Sequence, residues 1–316
     1  MSKIDIHADD YALTVNTSKD MLECMKAGKL NSISIVPNTS SFEKCMDMMY
    51  EEIPSLPFLP LMSVHLDFVE GCSLVGFDKV PLLTRPDSNL MGLSWGGLFK
   101  LSYIPWKRRE AKQQLKIEIK AQIERTQKAV AQCRKIAENN GISCTQKGLR
   151  IDSHQHAHMI PVVWEAVTEV IEEEGYDLEY IRNSKEVLGV FVSEISLWKT
   201  YRPINFVKNR LLSLYSHKVD RYNKTHQKEQ MYLWGLVMSG HMDYERIQKL
   251  YGAMTHKAER DNRVLEILFH PGITLPEEVN PELGDAAAED FYLSSDRYVE
   301  KKAVMAGVIA LISCGK

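Results

Sequence analysis

The stretch Ile4-Asp5-Ile6-His7-Ala8-Asp9-Asp10 decides the fold. Its alternation of apolar and polar residues reads as a strand, and it ends in two acids rather than in a glycine-rich turn. No GxGxxG follows it, and no Walker motif occurs anywhere in the chain. A nucleotide-binding doubly wound sheet is therefore disfavoured. Working outward, further strand-like runs fall at 32–37, 61–68, 148–154, 178–182, 231–238 and 263–269. Helical stretches separate them, near 18–28 (with Thr17 or Ser18 as cap), 41–50, 108–139, 162–174, 203–228 and 243–257, and a last one near 289–312. Strands alternating with helices imply a mostly parallel sheet. The prediction is an α/β fold, a TIM-barrel-like (β/α) barrel with fewer than eight regular units. The 316 residues read as a single barrel domain, 1–316, with a long loop insertion at about 69–107 that is rich in Gly and aromatic residues.

The composition is ordinary for a globular chain, with 44% apolar and 26% charged residues, which excludes disorder and coiled coil as the main class. The net charge of −3 carries no basic footprint for nucleic acid. One basic stretch stands out: residues 107–150 hold 12 Lys/Arg against 4 Asp/Glu, a local net of +8. It reads either as a solvated helix face or as a rim that attracts an anionic group. The six cysteines form no CxxC pair and read as reduced structural thiols. No signal pattern opens the chain, and the longest apolar run, 303–312, is too short to span a bilayer. The expectation is a cytoplasmic protein without membrane or nucleic-acid partners.

In parallel barrels, reactive groups sit where strands end. The first strand ends in His7-Ala8-Asp9-Asp10, the third carries His65 and Asp67, the fourth ends in Asp152-Ser153-His154-Gln155-His156-Ala157-His158, and the last ends in His270. Six of the ten histidines thus fall at predicted strand ends. Burying unpaired charge is costly, so such a cluster marks a metal or proton chemistry. Two imidazoles and one carboxylate form an array with open positions, which is a catalytic arrangement rather than a closed structural one. If the fourth strand continued, residues 152, 154, 156 and 158 would share one face.

The ordered blocks HADDYALT (7–14), VHLD (64–67), DSHQHAHM (152–159) and FHPG (269–272) resemble those of the YdjC-like carbohydrate deacetylases, a family that includes chitooligosaccharide deacetylases. The resemblance spans residues 4 to about 275. It implies a distorted (β/α) barrel and hydrolysis of an N-acetyl group from an amino sugar. It also implies one divalent metal ion, magnesium or zinc, and it suggests a homodimer. Carried over by position, Asp10, His65 and His154 would be the metal ligands, Asp9 the catalytic base and His270 the acid that protonates the leaving amine. Asp152, His156 and His158 would orient the ligands. Trp95 and Trp106 either stack on a sugar ring or pack the loop onto the barrel, and Arg182 is either a substrate contact or a partner in an ion pair. The chain departs from the common pattern at His7, where Asn is frequent, and at Tyr11-Ala12, where Phe-Gly is frequent. Ligand softness favours zinc over magnesium for one carboxylate and two imidazoles. The competing readings are another metal-dependent barrel hydrolase, such as a phosphoesterase or amidohydrolase, and a non-catalytic saccharide-binding protein.

Overall fold

Seven strands form in the computed structural model, which describes residues 3–284 and 290–307. They are β1 (Ile4–Tyr11), β2 (Ser32–Ile35), β3 (Leu61–Leu66), β4 (Leu149–Ser153), β5 (Leu178–Ile181), β6 (Met231–Trp234) and β7 (Val264–Phe269). All neighbours pair in parallel in the order β5-β4-β3-β2-β1-β7-β6, which leaves β5 and β6 as the edges. The sheet curls until those edges nearly meet. Leu233 of β6 donates its N–H to the carbonyl of Lys185 at 2.9 Å, and Glu186 pairs with Leu233 in an isolated parallel bridge. The result is a curled, distorted α/β barrel, as the order of elements in the sequence predicts.

The described helices are α1 (Val15–Lys26), α2 (Phe42–Glu52), α3 (Trp95–Leu101), α4 (Pro105–Asn139), α5 (Pro161–Glu174), α6 (Leu188–Ser193), α7 (Pro203–Thr225), α8 (Tyr244–Arg260) and α9 (Asp296–Met305). Parallel strands buried on both faces usually read as continuous apolar runs. These alternate instead. Ile33, Ile35, Met62, Val64, Ile151 and Ile267 belong to the apolar cores that the helices cover. The residues between them, Ser32, Ser34, Ser63, His65, Arg150, Asp152 and Glu266, turn the other way and are buried inside the curl. The interior of this barrel is a polar network.

Several local expectations are corrected. The strand expected over 231–238 stops at Trp234, because Gly235 takes φ 152° and a side chain there would meet the Leu268 carbonyl at 2.6 Å. The cap of α1 is Thr14, whose hydroxyl accepts from the Thr17 N–H, not Thr17 or Ser18. The segment 69–107 holds α3 and two antiparallel bridges, Cys72–Leu90 and Thr84–Met91. The last helix is shorter than the expected 289–312; residues 289 and 308–312 lie outside the described residues. The basic stretch does not form an open rim. On α4, Arg108, Lys112, Lys116 and Lys120 pair with Glu165, Glu169, Glu173 and Glu174 of α5, stitching the two helices together. No described helix is long and apolar enough to cross a membrane.

Candidate metal centre and active-site cleft

Strand alternation places Asp5, His7 and Asp9 of β1 toward the interior, and a break in the pattern brings Asp10 there as well. Asp10 adopts φ 73° and Ala12 φ 71°, and the pairing register of β1 against β2 shifts between Ala8 and Tyr11. Two successive acids therefore face one site. Ala12 holds a left-handed conformation that glycine adopts without cost, which explains why Gly is common there.

Asp10 meets the two histidines expected as its co-ligands. Its Oδ1 lies 3.4 Å from His65 Nε2 and 3.2 Å from His154 Nδ1. Two ligands about 2.0–2.1 Å from one tetrahedral ion stand roughly 3.3–3.4 Å apart, so these atoms fit a shared metal. Asp10, His65 and His154 are all buried, and their donor atoms lie within 4.8 Å of one another. The second imidazole nitrogen of His65 is spoken for: Nδ1 contacts Asp152 Oδ1 at 2.6 Å. The carboxylate accepts a hydrogen bond from Nδ1–H, so the neutral ring keeps its lone pair on Nε2, facing Asp10, the arrangement that prepares a metal-binding imidazole. Burial opposes a charged His65, but Asp9, Asp10 and Asp152 outweigh it and push its pKa up to about 9. His154 is likewise held well above the ordinary range, against burial, by Glu70 and Asp10. The pocket strongly demands positive charge, and a metal ion meets that demand in competition with those protons.

Two other acid–imidazole groups occur among the described residues, Asp5–His7–Glu266 and His7–Asp9–Asp152. Both are already filled by protein partners. His7 contacts the Ser32 and Ser34 hydroxyls at 2.6 Å through its two nitrogens. Those hydroxyls in turn donate to Asp5 and Asp152 at 2.6 and 2.5 Å. Arg150 lies 3.3 Å from Asp5 and is stacked over Tyr180, whose hydroxyl donates to Glu266. Asp9 and Asp10 open onto a cleft of about 540 Å³, whereas Asp5, His7, Asp152 and Glu266 do not line it.

Of the two roles expected of Arg182, the structure shows the ion pair and not the substrate contact. As a candidate substrate contact it would reach the cleft, but it is fully buried beneath it. Its guanidinium donates two bonds of 2.8 Å to the two oxygens of Asp9 and lies 3.3 Å from Asp152. Its Nε stands 2.7 Å from Glu266 Oε1 without hydrogen-bond alignment. Burial alone would raise the Asp9 pKa, yet Arg182, His65 and His7 hold it well below the usual carboxylate range. Arg182 and His65 likewise bring Asp152 down to about 2 against its burial. Burial and the neighbouring Asp5, Asp152 and Asp9 push Glu266 well above its ordinary range.

The histidine-rich run does not continue as a strand, so its residues do not share one face. β4 ends at Ser153, and Gln155 and His156 turn back with φ 50° and 57°. His154 and His156 then line the cleft, while His158 turns beneath it. His158 Nδ1 sits 2.6 Å from Ser153 Oγ and its Nε2 sits 2.9 Å from the Arg182 carbonyl. His156 meets Ser184 Oγ at 3.0 Å, and burial with Arg182 nearby holds its pKa well below the usual range. His270 lines the cleft, edge-on to Phe291, with Nδ1 3.5 Å from Glu300. Trp95 lines the cleft with Phe99 stacked behind it at 5.4 Å, whereas Trp106 is 78% exposed and lies off the cleft lining.

Sequence reading did not find four buried groups of the site: Glu70, Tyr292, Arg297 and Glu300. Tyr292 OH donates to Glu70 at 2.5 Å and contacts His154 Nε2 at 3.1 Å. Arg297 pairs with Asp10 Oδ2, and Glu300 accepts from the His270 N–H at 2.6 Å. Glu70 follows a turn in which Asp67 Oδ1 accepts the Val69 and Glu70 N–H groups. The three C-terminal residues lie beyond the last recognisable block, Arg297 and Glu300 on a helix whose polar pattern resembles any solvated face and Tyr292 just before it.

Fold and site together define an α/β-barrel protein with a buried, metal-competent Asp–His–His centre at the C-terminal ends of its strands. Residues 3–307 match the family model described as YdjC-like protein, and the chain belongs to that family. A crystal structure from Enterococcus faecalis, provisionally described as a cellobiose-phosphate cleavage protein, shares the fold. It is 17% identical with a TM-score of 0.57, over 96% of this chain and 90% of that one.

Proposed function

We propose that this chain is a metal-dependent hydrolase that removes the N-acetyl group from a short N-acetylglucosamine-type saccharide. The observation that carries the reading is the convergence of Asp10, His65 and His154 beside Asp9, with His270 lining the same cleft. One divalent ion held by those three side chains would polarise the acetamide carbonyl and lower the pKa of a bound water from about 15.7 toward 7.

The chain's own residues supply the rest. Arg182 keeps Asp9 ionised, and Asp9 Oδ2 carries a single bond from Arg182, so a lone pair remains to take the water's proton. A base held so low is weak, and it works on a water that is already acidified. His270 donates a proton to the departing amine, which would otherwise leave as an amide anion, and Glu300 provides a counter-charge for its ring. Trp95, backed by Phe99, offers an aromatic face to a sugar ring. Arg202, just before α7, and Lys208 of α7 line the cleft, so any acidic substituent on the saccharide is met there and not on α4.

The test is acetate release from N-acetylglucosamine mono-, di- and trisaccharides and their 6-phosphates, with added divalent metal and a chelator control. Asp9→Asn is expected to lower kcat by at least about 10²-fold while metal stays bound, the lower end of what a general base contributes. Full activity in that variant removes Asp9 from the reaction. More than one metal per chain with phosphate release instead of acetate would support the phosphoesterase reading.

A further inference from the structure

Each ligand of the proposed centre offers two possible donor atoms, and in two of the three, Asp10 and His154, the C-terminal strap, residues 290–305, engages one of them. We infer that Tyr292 and Arg297 are positioning residues that select His154 Nδ1 and Asp10 Oδ1 as the metal-binding atoms. The inference rests on the metal reading above.

The hydrogen-bond directions carry the argument. The Tyr292 hydroxyl has one proton, and Glu70 Oε2 takes it at 2.5 Å. The phenolic oxygen is then left to accept, and the group within reach is His154 Nε2 at 3.1 Å. Glu70 Oε1 lies 3.5 Å from the same nitrogen. The His154 proton is thereby placed on Nε2, and the lone pair falls on Nδ1, which faces Asp10 Oδ1 at 3.2 Å. Arg297 does the matching work on the carboxylate. It is 1% exposed, it is ion-paired through Nη2 with Asp10 Oδ2, and it lies over the rings of Phe291 and Tyr292 at 5.1 and 4.8 Å. With Oδ2 held from behind, Oδ1 is the oxygen presented to both histidines. Neither Arg297 nor its helix lines the cleft, so its action on the reaction runs through Asp10. Glu300, one turn further on, ties the strap to β7 through the His270 N–H and to the 240–242 turn through the Gly240 N–H. The strap thus engages Asp10, His154 and the backbone of His270, while Asp152 fixes His65 and Arg182 fixes Asp9 from within the barrel.

The test is zinc titration of the chelator-stripped protein by calorimetry, with the visible spectrum of the cobalt(II)-loaded form as a second readout. Tyr292→Phe removes one oxygen and keeps the ring. Its zinc affinity is expected to fall about 10- to 100-fold, the range found for lost outer partners of ligating histidines, and its cobalt bands are expected to shift. Arg297→Met is expected to fall in the same range and Arg297→Lys to recover much of the loss. Should Arg297→Met fail to fold, Tyr292→Phe still decides. Parent-like affinity, within about twofold, and an unchanged cobalt spectrum in Tyr292→Phe would overturn the inference while leaving the metal reading intact. A parent protein that binds no zinc, cobalt, manganese or magnesium would overturn the metal reading and the inference with it.

Discussion

Arg182 is fully buried, with Asp9, Asp152 and Glu266 all within 3.3 Å of its guanidinium. Arg182→Met keeps much of the volume and deletes the charge. Of the three carboxyls, Asp9 and Asp152 are held low by this arginine, and Glu266 is held high by burial and by its acidic neighbours. The change therefore strands two buried carboxylates whose principal counter-charge is gone. Breaking a buried pair from one side costs about 3–5 kcal/mol. At about 2–4 °C per kcal/mol, the melting temperature should fall by roughly 6–20 °C. The sign of the pH dependence follows from the same contacts. Without Arg182 the folded-state pKa values of Asp9 and Asp152 rise, so folding favours their protonated forms. The deficit is then largest near neutral pH and shrinks on acidification, as those groups take up protons. Urea unfolding of the chelator-treated variant at pH 5.5 and pH 8 reads both effects. A variant within 1 kcal/mol of the parent at pH 8, with a raised KM for saccharide, would refute this account and return Arg182 to the role of substrate contact.

His158 gives an acid-side signature. Burial, with Arg182 close by, holds its folded pKa at about 4, against about 6.5 for a free histidine. Between those values the unfolded chain binds more protons, so His158 contributes stability above pH 6.5 that is lost as pH falls toward 4, about 3 kcal/mol at most. His158→Gln should show a flatter stability profile over that window, measured by urea unfolding; an unchanged slope counts against the assignment. Glu186 accepts Gly235 and Leu236 N–H on one oxygen, and Val237 N–H and the Asn209 amide on the other. Glu186→Gln sets an NH2 group against N–H donors and should cost about 2–4 kcal/mol, whereas the exposed control Glu245→Gln should stay within about 0.5 kcal/mol; equal effects would contradict the reading. Trp95→Ala should raise KM for a saccharide about three- to tenfold, as expected for an aromatic contact of 0.5–1.5 kcal/mol, with kcat little changed. An unchanged KM would make Trp95 a wall residue only.

The strands were legible because alternation is strong where one face is apolar and the other polar. Ser32-Ile33-Ser34-Ile35 and Leu149-Arg150-Ile151-Asp152 show it plainly, and the acids and histidines at strand ends follow from the same period. What alternation does not carry is backbone reversal. Asp10, Gln155 and His156 adopt positive φ without a glycine to announce it, so the sequence does not show that the strand stops at Ser153 and that 154–158 is a turn. Arg182 is ambiguous in the sequence for a related reason. A cation at the C-terminal end of a barrel strand resembles a ligand contact, and only the inward register shows that it points to Asp9. Tyr292, Arg297 and Glu300 lie outside reach because their partners, Asp10, Glu70, His154 and His270, are 30 to 287 residues away, and no local pattern encodes such pairings.

The central claim is that one divalent ion, bound by Asp10, His65 and His154, enables acetate release from an N-acetylated amino sugar. Metal titration of chelator-stripped protein, followed by acetate release from the N-acetylglucosamine panel, tests it most directly. The account predicts no release before metal is added, full recovery at one equivalent of zinc or another divalent ion, and no recovery at that dose in Asp10→Asn. Release that survives chelation, or recovery in Asp10→Asn equal to the parent's, would contradict it.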